Sequence, residues 1–164
     1  MSEKIIIVDS NDTILGEKER SLLRLDDIYR VSALWLFDSQ KRILLARRSP
    51  LKARHPGKWG PSVAGTNAAG ETYEENIRKE AIEEIGVDLS EIDLKIGPKE
   101  HIRGEYEYFV QWYLATIDRA EDEFLIDPHE VDQVRWFTRD EILAMHIDSP
   151  ESFLQTFKKS FDLL

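Results

Sequence analysis

The chain has 164 residues, 41% of them hydrophobic and 33% charged, with a formal net charge of −10 and no cysteine. That length serves one domain spanning residues 1–164, and the missing thiols exclude disulfides, zinc–thiolate sites and a cysteine nucleophile. The acidity argues against a nucleic-acid polymer as partner, although a local basic patch or a bound cation still allows an anionic small molecule.

In chain order, "KIIIVD" reads as a short strand ended by "SND", and the charged stretch "GEKERSLLRLDD" carries no clear period. "YRVSALWLFD" and "RILLARR" are β-rich runs joined by "SQK", which predicts a hairpin. The loop "SPLKARHPGKWGP" is long enough to be functional. Thr72 followed by Glu75 is a capping-box pair and Gly86 a helix stop, so a helix is expected between them. Strands are expected at "YEYFVQWYLATI" and "VDQVRWF", and a short helix near "TRDEILAM". A last helix is expected through "PESFLQTFKKSF", with Phe153, Phe157 and Phe161 as a core-facing stripe. Strands and helices without regular βαβ alternation place the chain in the α+β class, or in a mixed sheet between helices.

The helix after Thr72 is unusually rich in carboxylate. Tyr73, Ile77, Ala81 and Ile85 form its apolar stripe. Glu84 falls at the edge of that stripe, Glu80 beside it and Glu83 one step further round, while Lys79 and Glu75 face away and are free to pair. A solvated acidic face is the ordinary reading. It fits poorly, because carboxylates about 5 Å apart repel by roughly 3 kcal/mol at an effective dielectric of about 20. Glu84 also abuts the core, and the last turn is where the helix dipole disfavours negative charge. A hard divalent cation, Mg²⁺ or Mn²⁺, resolves both problems.

The segment Gly65–Val87 resembles the Nudix box, G-x5-E-x7-R-E-U-x-E-E-x-G-U with U aliphatic. Gly65 opens it, Glu71 follows, and Lys79-Glu80-Ala81-Ile82-Glu83-Glu84-Ile85-Gly86-Val87 closes it. Ala81 replaces a bulkier aliphatic residue, and Lys79 replaces the arginine that in the family pairs with the glutamate here numbered 71. Lysine lacks the arginine fork, and Glu75 one turn back can compete for it.

The resemblance implies an α/β/α sandwich with a mixed sheet between helices. It also implies a metal-dependent pyrophosphatase activity on a small-molecule diphosphate, most simply a nucleoside diphosphate derivative. Glu80, Glu83, Glu84 and the Gly65 carbonyl would bind Mg²⁺ or Mn²⁺, and water activated by the metal would attack a phosphorus. Glu83 is one candidate general base. Glu105 and Glu107, expected to alternate onto one face of a strand, are others, with an exposed strand edge as the competing reading. The layout "RILLARRSPLKARHPGKWGPSVAGT" is similar to that of isopentenyl-diphosphate isomerases and their hydrolase-like relatives, which assigns diphosphate contacts to Arg48 and Lys52. The alternative is that these two only solubilise a loop.

Isomerase chemistry itself does not carry over. Ala64 stands where the isomerases have cysteine, and Leu22, Tyr29 and Thr66 where they have histidines, the first two in approximate register. A non-catalytic, ligand-sensing domain is a further alternative, against which the intact Glu80, Glu83 and Glu84 argue. Trp59, Phe109 and Trp112 are rings on which a nucleobase could stack, with core packing the competing fate, above all for Phe109. The four histidines are scattered without ligand spacing. No apolar run reaches membrane-span length and "MSEKIIIVDSND" lacks the form of a signal peptide, so a cytoplasmic protein without a membrane partner is expected, and a homodimer is compatible with it.

Overall fold

The computed structural model describes residues 3–164. Lys4–Val8 (β1) is the expected first strand, and it pairs with Ile14–Glu19 (β2). The unassigned charged stretch thus begins as a strand. It sits at the sheet edge, where half-exposed positions erase the apolar alternation a strand normally shows.

Ile28–Phe37 (β3) is the axis of the sheet. Along one edge it runs parallel to Glu107–Thr116 (β8) over its whole length. Along the other edge it meets β1, then Val63–Thr66 (β6), then Ile43–Arg48 (β4). The expected β3–β4 hairpin exists but opens after the single pair Phe37–Ile43. Ser62 fills the split: its buried hydroxyl accepts from the Leu36 amide at 2.8 Å and donates to the Leu44 carbonyl at 2.6 Å. β4 then pairs with Trp59–Gly60 (β5) and Val131–Phe137 (β9). Lys95–Arg103 (β7), which sequence reasoning missed, closes the far edge against β8. Its register shifts around Gly97 and Pro98, and a bulged edge strand is where proline is tolerated.

Alternation sends the two faces of β3 to different layers. Leu34 and Leu36 pack under Ile77, Ala81 and Ile85 of Tyr73–Ile85 (α1), all three fully buried as the stripe predicts. Ala33 and Trp35 face Ile142 of Arg139–Asp148 (α2) and Phe157 and Phe161 of Phe157–Phe161 (α3). The result is an α+β fold, a mixed sheet between helices. The last helix is shorter than expected, although Phe153, Phe157 and Phe161 are all buried. The Leu154 amide donates to the Trp59 carbonyl at 2.9 Å and Phe153 bridges to Trp59, so sheet pairing interrupts the helix there. Trp59, Phe109 and Trp112 are buried, and Trp112 stacks on Trp35 at 5.0 Å, so these rings are core.

Both ends of α1 are fixed locally. The Thr72 hydroxyl accepts from the Glu75 amide at 3.2 Å while the Glu75 carboxylate accepts from the Thr72 amide at 2.8 Å. Gly86 ends the helix at φ 68°, in the left-handed region that glycine enters without strain.

Candidate active site

Gly65 lies on β6 directly under α1, opposite Ser32 of β3. A Cβ at this position would meet Cγ and Cδ of Glu80 at 2.3 Å. A larger residue here would have to displace the Glu80 side chain, so glycine leaves that carboxylate its position over β6. The turn from Gly65 to α1 is held by Glu71, which accepts from the Ala68 amide at 2.9 Å, from Asn76 Nδ2 at 2.9 Å and from Lys79 Nζ at 2.6 Å. Burial alone would raise Glu71, but the bonds from Lys79, Asn76 and Ala68 outweigh it and hold this carboxyl below its usual range. Lys79 is therefore not drawn to Glu75. The Glu75 carboxylate is already engaged by Thr72, and the lysine reaches the same glutamate that arginine would.

The three carboxylates of the last two turns have different surroundings. Glu84 points inward, accepting from the Ala64 amide at 3.4 Å. Burial, then the negative charges of Glu80 and Glu130, push its carboxyl up to about 8. Glu80 is half-buried, and burial pushes it up to about 7; Lys79, 3.8 Å away, opposes this, and Glu83 reinforces it. Glu83 is exposed. At about 100° per residue it lies on one side of Glu80 and Glu84 on the other. Among the described residues no three Asp, Glu, His or Cys side chains converge on one point, so Glu80, Glu83 and Glu84 are neighbours and not a closed cage. The donor set nevertheless suits a hard dication: it is all oxygen, and its two inner members carry an electrostatic strain that positive charge relieves.

Facing these acids is the end of β4. Arg48 is half-buried; burial lowers its guanidinium, against the attraction of Glu84 and Glu130. Its Nε donates to the Arg54 carbonyl at 3.1 Å. Lys52 Nζ contacts Glu130 Oε2 at 2.5 Å. Glu130 was missed from sequence, and it arrives through the backbone: the Asp127 amide donates to the Glu84 carbonyl at 2.9 Å, and the Ser49 amide to the Glu130 carbonyl at 2.9 Å. The segment before β9 thus joins the end of α1 to the loop after β4. The turn chemistry of "DPHE" was its only sequence signal, and that did not single out one acid.

The two acids of the β7–β8 hairpin do not share a strand face as expected. Glu105 is exposed in the turn, whose tight reversal at Gly104 takes it out of the ladder. Glu107 begins β8 and is held by His101 Nε2 at 2.7 Å. The charges acting most strongly on Glu84 are those of Glu80, Glu130 and Arg48. A separate cleft of ≈ 520 Å³ beside β2 contains none of Gly65, Glu80, Glu83, Glu84 or Arg48. Its cations, Arg30 and Lys99, are both paired with Asp12.

The NUDIX domain family matches residues 28–157, which include every residue of this site. The chain belongs to the NUDIX family. An uncharacterised Nudix hydrolase of Yersinia pestis is 28% identical over 143 residues, 87% of this chain and 76% of that one. A prenyl-diphosphate phosphatase of Methanosarcina mazei is 42% identical over 83 residues, 50% of this chain and 48% of the relative. A Klebsiella pneumoniae isopentenyl-diphosphate Delta-isomerase is 34% identical over 92 residues, 55% and 50% of the two chains. A crystal structure from Deinococcus radiodurans superposes with a TM-score of 0.82 at 27% identity, covering 94% of each chain. This NUDIX protein is an enzyme of a hydrolase family that generally uses a divalent metal to cleave pyrophosphate linkages in small molecules.

Proposed function

We propose that this Nudix hydrolase cleaves the diphosphate linkage of a nucleoside diphosphate derivative. Glu80, Glu83, Glu84 and the Gly65 carbonyl hold Mg²⁺ or Mn²⁺, and Arg48 and Lys52 take the diphosphate. The observation that supports this best is the opposition of two inner carboxyls, pushed up to about 7 and about 8, to the half-buried guanidinium of Arg48. Bound there, a divalent cation lowers the pKa of water and offsets charge on phosphoryl oxygens. Arg48, partly stripped of water, is suited to grip an anion through charge-assisted hydrogen bonds. Lys52 is poised by Glu130 and can exchange that carboxylate for a phosphate oxygen. Glu83, exposed on the outer side of Glu80, is the member of the Glu80, Glu83 and Glu84 set open to solvent and fills the role of general base.

Relatives named for isopentenyl and prenyl diphosphates share the diphosphate and differ in the group attached to it. The isomerase relatives' cysteine position is Ala64 here, whose side chain has no proton to give an alkene. The test is a product-release screen over nucleoside diphosphates, nucleotide sugars, nucleoside triphosphates and isoprenyl diphosphates with Mg²⁺. Turnover of nucleoside diphosphate derivatives above the isoprenyl compounds is expected, and the reverse order overturns the nucleoside assignment.

A further inference from the structure

Beside Arg48 the chain gathers aromatic rings that neither the acids of α1 nor the diphosphate contacts use. Tyr29 of β3 is buried at 7% exposure, and the half-buried Tyr108 of β8 stacks on it with centroids 5.5 Å apart and planes 28° apart. Tyr106, in the turn before β8, is half-buried and carries the Arg54 guanidinium 3.8 Å above its ring centroid. Arg54 belongs to the loop after β4 and accepts the Arg48 Nε hydrogen bond through its own carbonyl. Arg20 and Arg54 both lie within electrostatic reach of Arg48 and of Tyr29. Arg54 thus ties Arg48, which feels the charge of Glu84, to the Tyr106 ring, with the Tyr29–Tyr108 stack in the same neighbourhood.

We infer that Tyr106 and the Arg54 guanidinium lying over it form the platform that stacks the nucleobase, backed by Tyr108 and Tyr29, which stack on each other, Tyr108 also packing against the core. This inference rests on the diphosphate-hydrolase reading and specifies how that site recognises the group beyond the phosphates. Flat rings and a planar guanidinium offer faces to a π-system. A branched alkyl chain would also bury area against the rings, but it offers no π-face to the Arg54 guanidinium. The Arg54–Tyr106 pair also joins the loop that carries Lys52, which follows Arg48 at the end of β4, to the hairpin of β7 and β8. A base entering this surface is gripped by both. Stacking is tolerant of base identity, so preference among bases is expected to be shallow.

The test compares Tyr106→Leu, Tyr106→Phe and Arg54→Met with the parent. It uses the KM and kcat for a nucleoside diphosphate, the inhibition constant of inorganic pyrophosphate as competitor, and the melting temperature. Tyr106→Leu should raise KM about tenfold or more, the size of one lost base–aromatic stack. The pyrophosphate inhibition constant should shift far less, and Tyr106→Phe should restore KM. Arg54→Met should raise KM in the same direction. A KM unchanged by Tyr106→Leu, or a KM and a pyrophosphate constant that rise together, overturns the inference and leaves the hydrolase reading standing. A parent that cleaves isopentenyl diphosphate but no nucleoside diphosphate refutes the nucleoside reading itself, and the stacking surface falls with it. A rise in KM with Tyr106→Leu that comes with a matching fall in melting temperature, both restored by Tyr106→Phe, marks the ring as a packing element and also overturns the assignment.

Discussion

Replacing Glu84 by glutamine should stabilise the metal-free protein at alkaline pH while removing its activity. An ordinary glutamate titrates near 4.5 and the folded Glu84 near 8. Between those values the folded state keeps a proton that the unfolded chain has released. Stability therefore falls as pH rises through this window, and the full penalty is present above about 8. At about 1.4 kcal/mol for each pH unit the upper bound is near 5 kcal/mol. Coupling to Glu80 and the partial exposure of Glu84 reduce it, leaving about 2 kcal/mol as the working figure. Glutamine keeps the shape and the acceptor for the Ala64 amide and cannot ionise. Thermal melts in chelator near pH 8.5 should place Glu84→Gln about 4–8 °C above the parent, with the gap closing toward pH 5. In Mg²⁺ the order should invert, because the cation stabilises the parent and not the variant. A variant less stable than the parent in chelator at alkaline pH, or a gap independent of pH, refutes the reasoning.

Gly65→Ala should destabilise the fold by about 1–3 kcal/mol, since its Cβ displaces the Glu80 side chain, and should lower kcat by about a hundredfold; melts and steady-state kinetics check both. Lys79→Arg should change the rate no more than about threefold, because lysine already reaches Glu71 at 2.6 Å, whereas Lys79→Met should slow turnover at least about tenfold. If arginine lowers the rate sharply, the turn is fitted to lysine in a way the Glu71 contact does not describe. Arg48→Ala should raise KM for every diphosphate tested by about tenfold or more, with smaller changes in kcat, because its contact is to the shared part of the substrate.

The helix carrying the acids was the most legible element because its signals are local. The Thr72–Glu75 cap, the stripe of Ile77, Ala81 and Ile85, and Gly86 all act within a few residues of one another, and each sits where its spacing placed it. β7 was hidden because Gly97 and Pro98 interrupt a strand that only pairing with β8 makes extended. The last helix was overextended because the Phe153–Trp59 bridge depends on a strand almost a hundred residues earlier. The same contrast runs through the site. Glu80, Glu83, Glu84 and Gly65 could be read from one segment. Glu130 reaches them only because the Asp127 and Ser49 amides tie three distant segments together, and such hydrogen bonds leave no periodic trace. Tyr29 and Tyr108 likewise meet through the parallel β3–β8 pairing, which nothing in their spacing announces.

The central claim is that the acids of α1 work through a divalent cation to split a diphosphate. It is tested most directly by following nucleoside monophosphate release from a nucleoside diphosphate derivative by the parent and Glu84→Gln, each in Mg²⁺ and in excess chelator. Turnover by the parent in Mg²⁺ alone, with a loss of at least about a hundredfold in the variant, is the predicted result. Undiminished release in chelator, or equal rates for parent and variant in Mg²⁺, would contradict it.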